Sequence, residues 1–237
     1  MATAVTVRRA RRVSASAVWN GAIGLLVLAA LVAQSVLTAR TGTVPLPTRF
    51  IRMFSFFTVQ SNILVGIAAF SLALAPGRDG RWWRVLRLDA LVGISVTGVV
   101  YTTVLRTQHQ LHGWAVVTDG VFHYIVPLAA VAGWLAFGPR RRCDARTARW
   151  ALAWPVAWLA YTLLHGYVTG WYPYPFIDVT RHGYGGVALN SLAVTAVLVV
   201  MIAVFWLGDA YLPGGRPRRP PAPAPGSPPS GGKLFGG

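Results

Sequence analysis

Three sets of polar residues stand where the surrounding sequence is greasy. The first lies in FFTVQSNILVG (Phe56 to Gly66), which carries Thr58, Gln60, Ser61 and Asn62. On a helix, Thr58, Ser61 and Asn62 fall at i, i+3 and i+4 and share one face; Gln60 lies off it. The second set is Asp119, His123 and Pro127, and the third is Tyr161, His165 and Thr169; each is spaced i, i+4, i+8. After the third comes the loop GWYPYPFID, with Trp171, Tyr172, Tyr174 and Pro175. Hydroxyl, imidazole, carboxylate and amide groups move protons and donate hydrogen bonds, which is the stock of a reaction centre. They also have structural uses. Buried Ser, Thr, Asn, Gln and His bridge neighbouring membrane helices, a lone Thr bonds back to its own helix, and the loop aromatics suit an interfacial belt with a rigid turn.

The elements that must position these residues follow from composition. The chain has 237 residues, 54% hydrophobic and 12% charged. A soluble domain carries roughly 25% charged residues, so this one reads as an integral membrane protein. Six apolar runs are near the length that crosses a bilayer, about 20 residues. They are Val18–Ala39, Phe54–Ala75, Leu88–Leu105, Thr118–Phe137, Trp150–Gly170 and Val187–Leu207. The expected fold is an all-α bundle of six transmembrane helices spanning 18–212. A basic segment (1–17) precedes it, and a disordered tail rich in Pro, Gly and Arg (213–237) follows. The first run is long for a signal peptide and lacks a small-x-small exit, so it is expected to be a retained span. The pairs Arg8-Arg9 and Arg11-Arg12 read as its orienting flank.

Charge sets the orientation. The 22 basic residues face six Asp and no Glu, a net charge of +16. The arginines cluster between the apolar runs, which argues for membrane flanks and against nucleic acid as a partner. Alternate segments hold 17 and 5 Lys or Arg. The positive-inside rule then predicts cytoplasmic N- and C-termini in the cell (plasma) membrane. Thr58 lies four residues past Phe54, about 6 Å below the outer surface at 1.5 Å per residue. His123 lies at a similar depth in the fourth run, and His165 near the outer end of the fifth. Thr58, His123, His165 and the aromatic loop are thereby expected to converge in the outer half of the bilayer.

Several chemistries find no support. The chain has no G-x-S-x-G, P-loop, H-E-x-x-H or G-x-G-x-x-G segment, so a hydrolase here needs an unconventional nucleophile. The single cysteine, Cys143, excludes an internal disulfide. His109 and His112 are spaced for a metal, but no third ligand accompanies them; no metal and no cofactor are expected.

Three segments carry a resemblance to a known family. FFT (Phe56 to Thr58) opens the second run, DGVFHYIVP (Asp119 to Pro127) sets a His before a Pro, and VTGWYPYPFID (Val168 to Asp178) is similar to a V-T-G-x-W-x-Y-P-F segment. Over about 160 residues the chain resembles the androgen-induced and androgen-dependent (FAR-17a-like) family of multispan membrane proteins and its bacterial relatives. The resemblance implies an intramembrane hydrolase with Thr58 as nucleophile and His123 as base. The animal members cleave esters of fatty acids with hydroxy fatty acids, so the implied partners are membrane lipids and a fatty-acyl ester substrate. A neutral His near pH 7 can take the proton that keeps a Thr hydroxyl unreactive. Asp119, one turn before His123, is placed to fix its tautomer. Asn62, Ser61 or Gln60 is placed to donate to an oxyanion, Asn62 foremost because it shares the Thr58 face, and His165 belongs to the same pocket. Two alternatives stand beside this reading. One is a non-enzymatic lipid or small-molecule binder, or a regulatory partner. The other is haem held between His123 and His165.

Overall fold

The computed structural model describes residues 14–107 and 111–213. Residues 1–13 of the basic N-terminal segment, His109 and nearly all of the tail lie outside them. Every regular element among the described residues is helical. Five helices are long and apolar enough to cross a membrane: Ala15–Arg40, Phe57–Leu74, Arg81–Leu105, Trp114–Phe137 and Val179–Tyr211.

Helix α1 (Ala15–Arg40) starts where the Ser14 side chain accepts from the Ala17 N–H, which satisfies one of the free N–H groups at the helix start. It turns one narrow stripe inward, Ile23, Gly24, Val27 and Ala30, and leaves Leu25, Leu28 and Val32 exposed. That stripe packs on α3 (Phe57–Leu74) through small residues. At Gly66 of α3, an added Cβ would stand 3.1 Å from Val27. Small residues let membrane helices approach closely enough for dispersion to hold them.

Between them lies α2 (Leu46–Ser55), a short amphipathic helix with Pro47 in its first turn. Its Arg49 donates to the carbonyls of Val44, Ala39 and Thr41, closing the C-terminal end of α1. Phe56 is extended (φ −68°, ψ 128°), so α3 begins afresh at Phe57. The sequence placed the start of this span at Phe54. Arg49 and Arg52 make the preceding turns amphipathic rather than spanning, and Thr58 consequently sits in the first turn of its helix.

Helix α4 (Arg81–Val100) runs on through a π turn, Tyr101–Leu105. Helix α5 (Trp114–Gly120) passes through a second π turn, Val121–Ile125, into α6 (Val126–Phe137). Single π turns inside α-helices often mark functional sites. Pro127 has no N–H to give back to the preceding turn, and the Asn62 amide reaches the Phe122 carbonyl from α3 at 3.4 Å.

Helix α7 (Ala145–Trp150) is capped by Asp144 and leads through Ala151 and Leu152 into α8 (Ala153–Thr169). The 17 residues of α8 are fewer than in any of the five long helices, because Gly170 stops it in the left-handed region at φ +69°. The loop after it forms a 3-10 turn, Pro175–Ile177, and Asp178 then caps α9 (Val179–Tyr211). Two clusters fill the interior. One joins α1, α3, α4 and α6 around Val27, Ile94 and Val126; the other joins α3, α4, α6 and α9 around Phe57, Val92 and Phe205.

Candidate active site at the Thr58 end of the bundle

Thr58 is the second residue of α3, 8% exposed. Its Oγ1 lies 3.3 Å from His123 Nε2. The other ring nitrogen, Nδ1, is 3.0 Å from Asp119 Oδ1 and 3.0 Å from the Asp119 carbonyl. Two acceptors on Nδ1 favour the tautomer with its proton there, which leaves Nε2 a lone pair for the Thr58 hydroxyl. The Tyr101 hydroxyl donates to the second Asp119 oxygen, and its ring stacks on His123 with centroids 3.8 Å apart. His123 and Tyr101 each sit in a π turn. The imidazole is thus fixed by a carboxylate on one edge and a ring on one face.

The fourth group is Tyr174, from the loop after α8. Its hydroxyl accepts from the Thr58 N–H at 3.1 Å and lies 3.2 Å from Thr58 Oγ1. The Phe57 N–H also acts on it. Burial raises the Tyr174 phenol above its ordinary value, while the Thr58 hydroxyl and these backbone N–H groups pull the other way; it stays protonated and able to donate. Helix α3 has no side-chain cap at its start. Its first N–H groups donate to the Tyr174 hydroxyl instead, so the positive end of its dipole falls at the Thr58–Tyr174 pair, an arrangement suited to negative charge. The Tyr174 ring is held by Phe56 (5.5 Å), Phe176 (5.3 Å) and Trp158 (5.9 Å).

A narrow cleft of about 70 Å³ opens beside Thr58 between α3, α4, α8 and α9. Val96, Val100, Leu159, Val194 and Leu198 make its walls apolar. Thr97 and Ser191 line it too, and each has a buried hydroxyl oxygen with no hydrogen-bond partner among the described residues.

The other expected site residues fare differently. Asn62 is fully buried, but both amide hydrogens are spent, on the Thr58 and Phe122 carbonyls, so none is left for an oxyanion. Ser61 donates to the Phe57 carbonyl and lies against Gly93 of α4. Gln60 ties helices together, accepting from the Trp154 indole of α8 and donating to the Phe54 carbonyl. His165 packs between Tyr161 and Trp171 rather than on Thr58 or His123. Trp171 makes an edge contact with Phe56 and lies under Arg52, Tyr172 fills the surface of Gly166, and Pro175 opens the 3-10 turn that carries Tyr174 inward.

Tyr101 and the backbone at the start of α3 gave no sign in the sequence. A Tyr at the end of an apolar run reads as a membrane-belt residue. The α2–α3 break could have been found from the amphipathic spacing of Arg49 and Arg52. Among the described residues, no three His, Cys or acidic side chains gather at metal-binding range. Compared with known proteins, the chain matches no family model, no curated protein and no solved structure, so the reading of this site stands on its own geometry.

Proposed function

We propose that this protein is an intramembrane hydrolase of fatty-acyl esters, with Thr58 as nucleophile, His123 as general base and acid, and Asp119 orienting His123. The observation that carries the reading is the hydrogen-bonded series from Thr58 Oγ1 to His123 Nε2 and from Nδ1 to Asp119. His123 takes the hydroxyl proton as Oγ1 attacks the ester carbonyl, and returns it to the departing alcohol. Water, deprotonated by the same imidazole, then cleaves the Thr58 ester and releases the acid. The carbonyl oxygen takes its developing charge at the start of α3, where the Tyr174 hydroxyl is the donor and is itself polarised by the backbone N–H groups it accepts from. The apolar cleft receives the acyl chain. This reading keeps the resemblance to the FAR-17a-like family as its guide to substrate class.

In the same proposal the chain crosses the plasma membrane six times, α8 joining the five long helices as the fifth span in chain order, with both termini on the cytoplasmic, Arg-rich side. What supports this is the parity of the charge count and the length of α8, which lies within the range of about 17–25 residues that spans a bilayer.

Purified protein in detergent is expected to hydrolyse a p-nitrophenyl fatty-acyl ester. Thr58→Val and His123→Gln should each abolish turnover, and Thr58→Ser should keep part of it. Wild-type rates in both inactivating variants would end the hydrolase reading. A second reading, a lipid-binding protein without turnover, is favoured by one contact: Tyr174 already engages both the N–H and the hydroxyl of Thr58. A fluorophosphonate probe that leaves Thr58 unlabelled, with intact lipid co-purifying, would select it.

A further inference from the structure

The opposite end of the bundle holds a second cluster. Arg87, on α4, is only 8% exposed. Its guanidinium donates to the Pro139 carbonyl and lies over the Trp83 ring. Arg140, in the turn after α6, stacks on Trp134 at 4.2 Å and donates to the Leu135 carbonyl. Both cations point to one place. The Cβ position that Gly138 leaves open lies 2.7 Å from Arg87 Nη2 and 2.9 Å from Arg140 Nη1. Arg140 Nε and Nη1 are buried and have no hydrogen-bond partner among the described residues.

Two guanidiniums so close repel each other, and a buried cation is costly unless it is paired. No carboxylate side chain forms an ion pair with either of them. It contains six acidic residues, all of them described. Asp79 forms a two-pronged pair with Arg84. Asp209 supplies negative charge nearby, but its Oδ2 accepts from the backbone N–H groups of Arg142 and Cys143. Asp144 and Asp178 cap helices, and Asp119 serves His123 at the other end. Asp89 has one oxygen without a partner and bonds neither arginine.

A cleft between α1, α3, α4 and α6 ends on Arg87 and Gly138, and its walls include Ile23, Val65, Leu72 and Phe137. An apolar slot with Arg87 in its lining, and with Arg140 beside the Gly138 at its end, has the form of one acyl chain below an anionic head. Arg87 lies six residues inside the start of α4, about 9 Å along the axis, a depth at which a lipid phosphate can be reached by snorkelling side chains. We propose that Arg87 and Arg140 form a binding site for a phosphate group, supplied by an anionic phospholipid of the leaflet at the Arg-rich end. Guanidinium geometry suits phosphate because its N–H groups bond two oxygens at once.

The test uses the full-length protein in zwitterionic nanodiscs, with bound lipid counted by native mass spectrometry. Phosphatidylglycerol should be retained as a saturable single copy and phosphatidylcholine should not. Arg140→Gln, which leaves the spans untouched, should weaken retention about tenfold or more, the loss expected for a charge-assisted pair. Arg87→Gln should do the same where it folds, and Arg146→Gln, at an exposed position of α7, should not. Resistance of the bound lipid to millimolar inorganic phosphate assigns the site to a headgroup, and displacement assigns it to free phosphate. Equal retention of both lipids, wild-type retention in Arg140→Gln, or an equal loss in Arg146→Gln would overturn the proposal.

Discussion

Tyr174→Phe is the most searching perturbation of the Thr58 site, because it removes one oxygen and keeps the ring. Phe56, Phe176 and Trp158 hold that ring in place, so no cavity opens. The lost oxygen is the acceptor for the Thr58 N–H, in the first turn of a helix with no side-chain cap. An orphaned buried donor costs about 1–3 kcal/mol. The remaining bond of Thr58 Oγ1, to His123, is left intact, so the loss should fall in the lower half of that range. The catalytic effect should be larger. If the Tyr174 hydroxyl donates to the oxyanion, its removal should lower kcat by about 10²–10³-fold, the loss seen for one oxyanion donor, with KM changed little. Steady-state kinetics on a fatty-acyl ester and unfolding by denaturant in mixed micelles measure the two effects separately. Unchanged kcat would refute the donor role. A rise in kcat would also refute it, and would show that the hydroxyl blocks the position an ester oxygen must take.

Three further outcomes test the packing around the site. Gly166→Ala sets a methyl group where the Tyr172 ring lies; it should destabilise by about 1–3 kcal/mol and displace the loop that carries Tyr174, read as lower thermal stability and lower turnover together. Gln60→Leu takes the acceptor from the Trp154 indole and should cost about 1–2 kcal/mol while leaving kcat unchanged, because Gln60 ties α3 to α8 and touches neither Thr58 nor His123. Burial pushes the Cys143 thiol up to about 12, with Asp209 and Asp144 adding to the rise. The folded protein should therefore react slowly with iodoacetamide at pH 8 and rapidly once unfolded in SDS, and fast labelling of the folded state would contradict the burial. The sign of the linkage follows. This group's contribution is fully present below the unfolded thiol's pKa, about 8.5, and is lost as pH rises from there towards about 12.

Much of the helical plan was legible because lipid-facing helices need long apolar runs and their ends attract arginine. The six expected runs recur as α1, α3, α4, α5–α6, α8 and α9, with edges moved by local chemistry. Phe56 delays the second helix by three residues, and the turn through Ala151 and Leu152 starts the fifth at Ala153, three residues late. The spacing of Thr58, Asn62, Asp119 and His123 also put on shared faces residues that the structure brings into contact, since i, i+4 neighbours meet on any α-helix.

Roles within those faces were not legible. Asn62 and Gln60 are the same kind of side chain two residues apart, and both are mortar, because each finds carbonyl or indole partners on a neighbouring helix. Tyr174 is one of four aromatic residues between Tyr167 and Tyr174, and nothing in its spacing marks it as the one whose hydroxyl meets Thr58. By itself the sequence determined that this chain forms helices long and apolar enough to cross a membrane, that its arginines cluster between the apolar runs, and that a Thr, a His and an Asp occupy comparable levels. Periodicity and transfer free energy act locally along the chain, so one dimension suffices for these. Tertiary structure decided which hydroxyl meets which nitrogen, that the start of α3 points its N–H groups at Thr58, and that Arg87 and Arg140 share one space beside Gly138. Thr58 meets His123 and Tyr174 across 65 and 116 positions of the chain, meetings fixed by helix packing and by two π turns that no composition reveals.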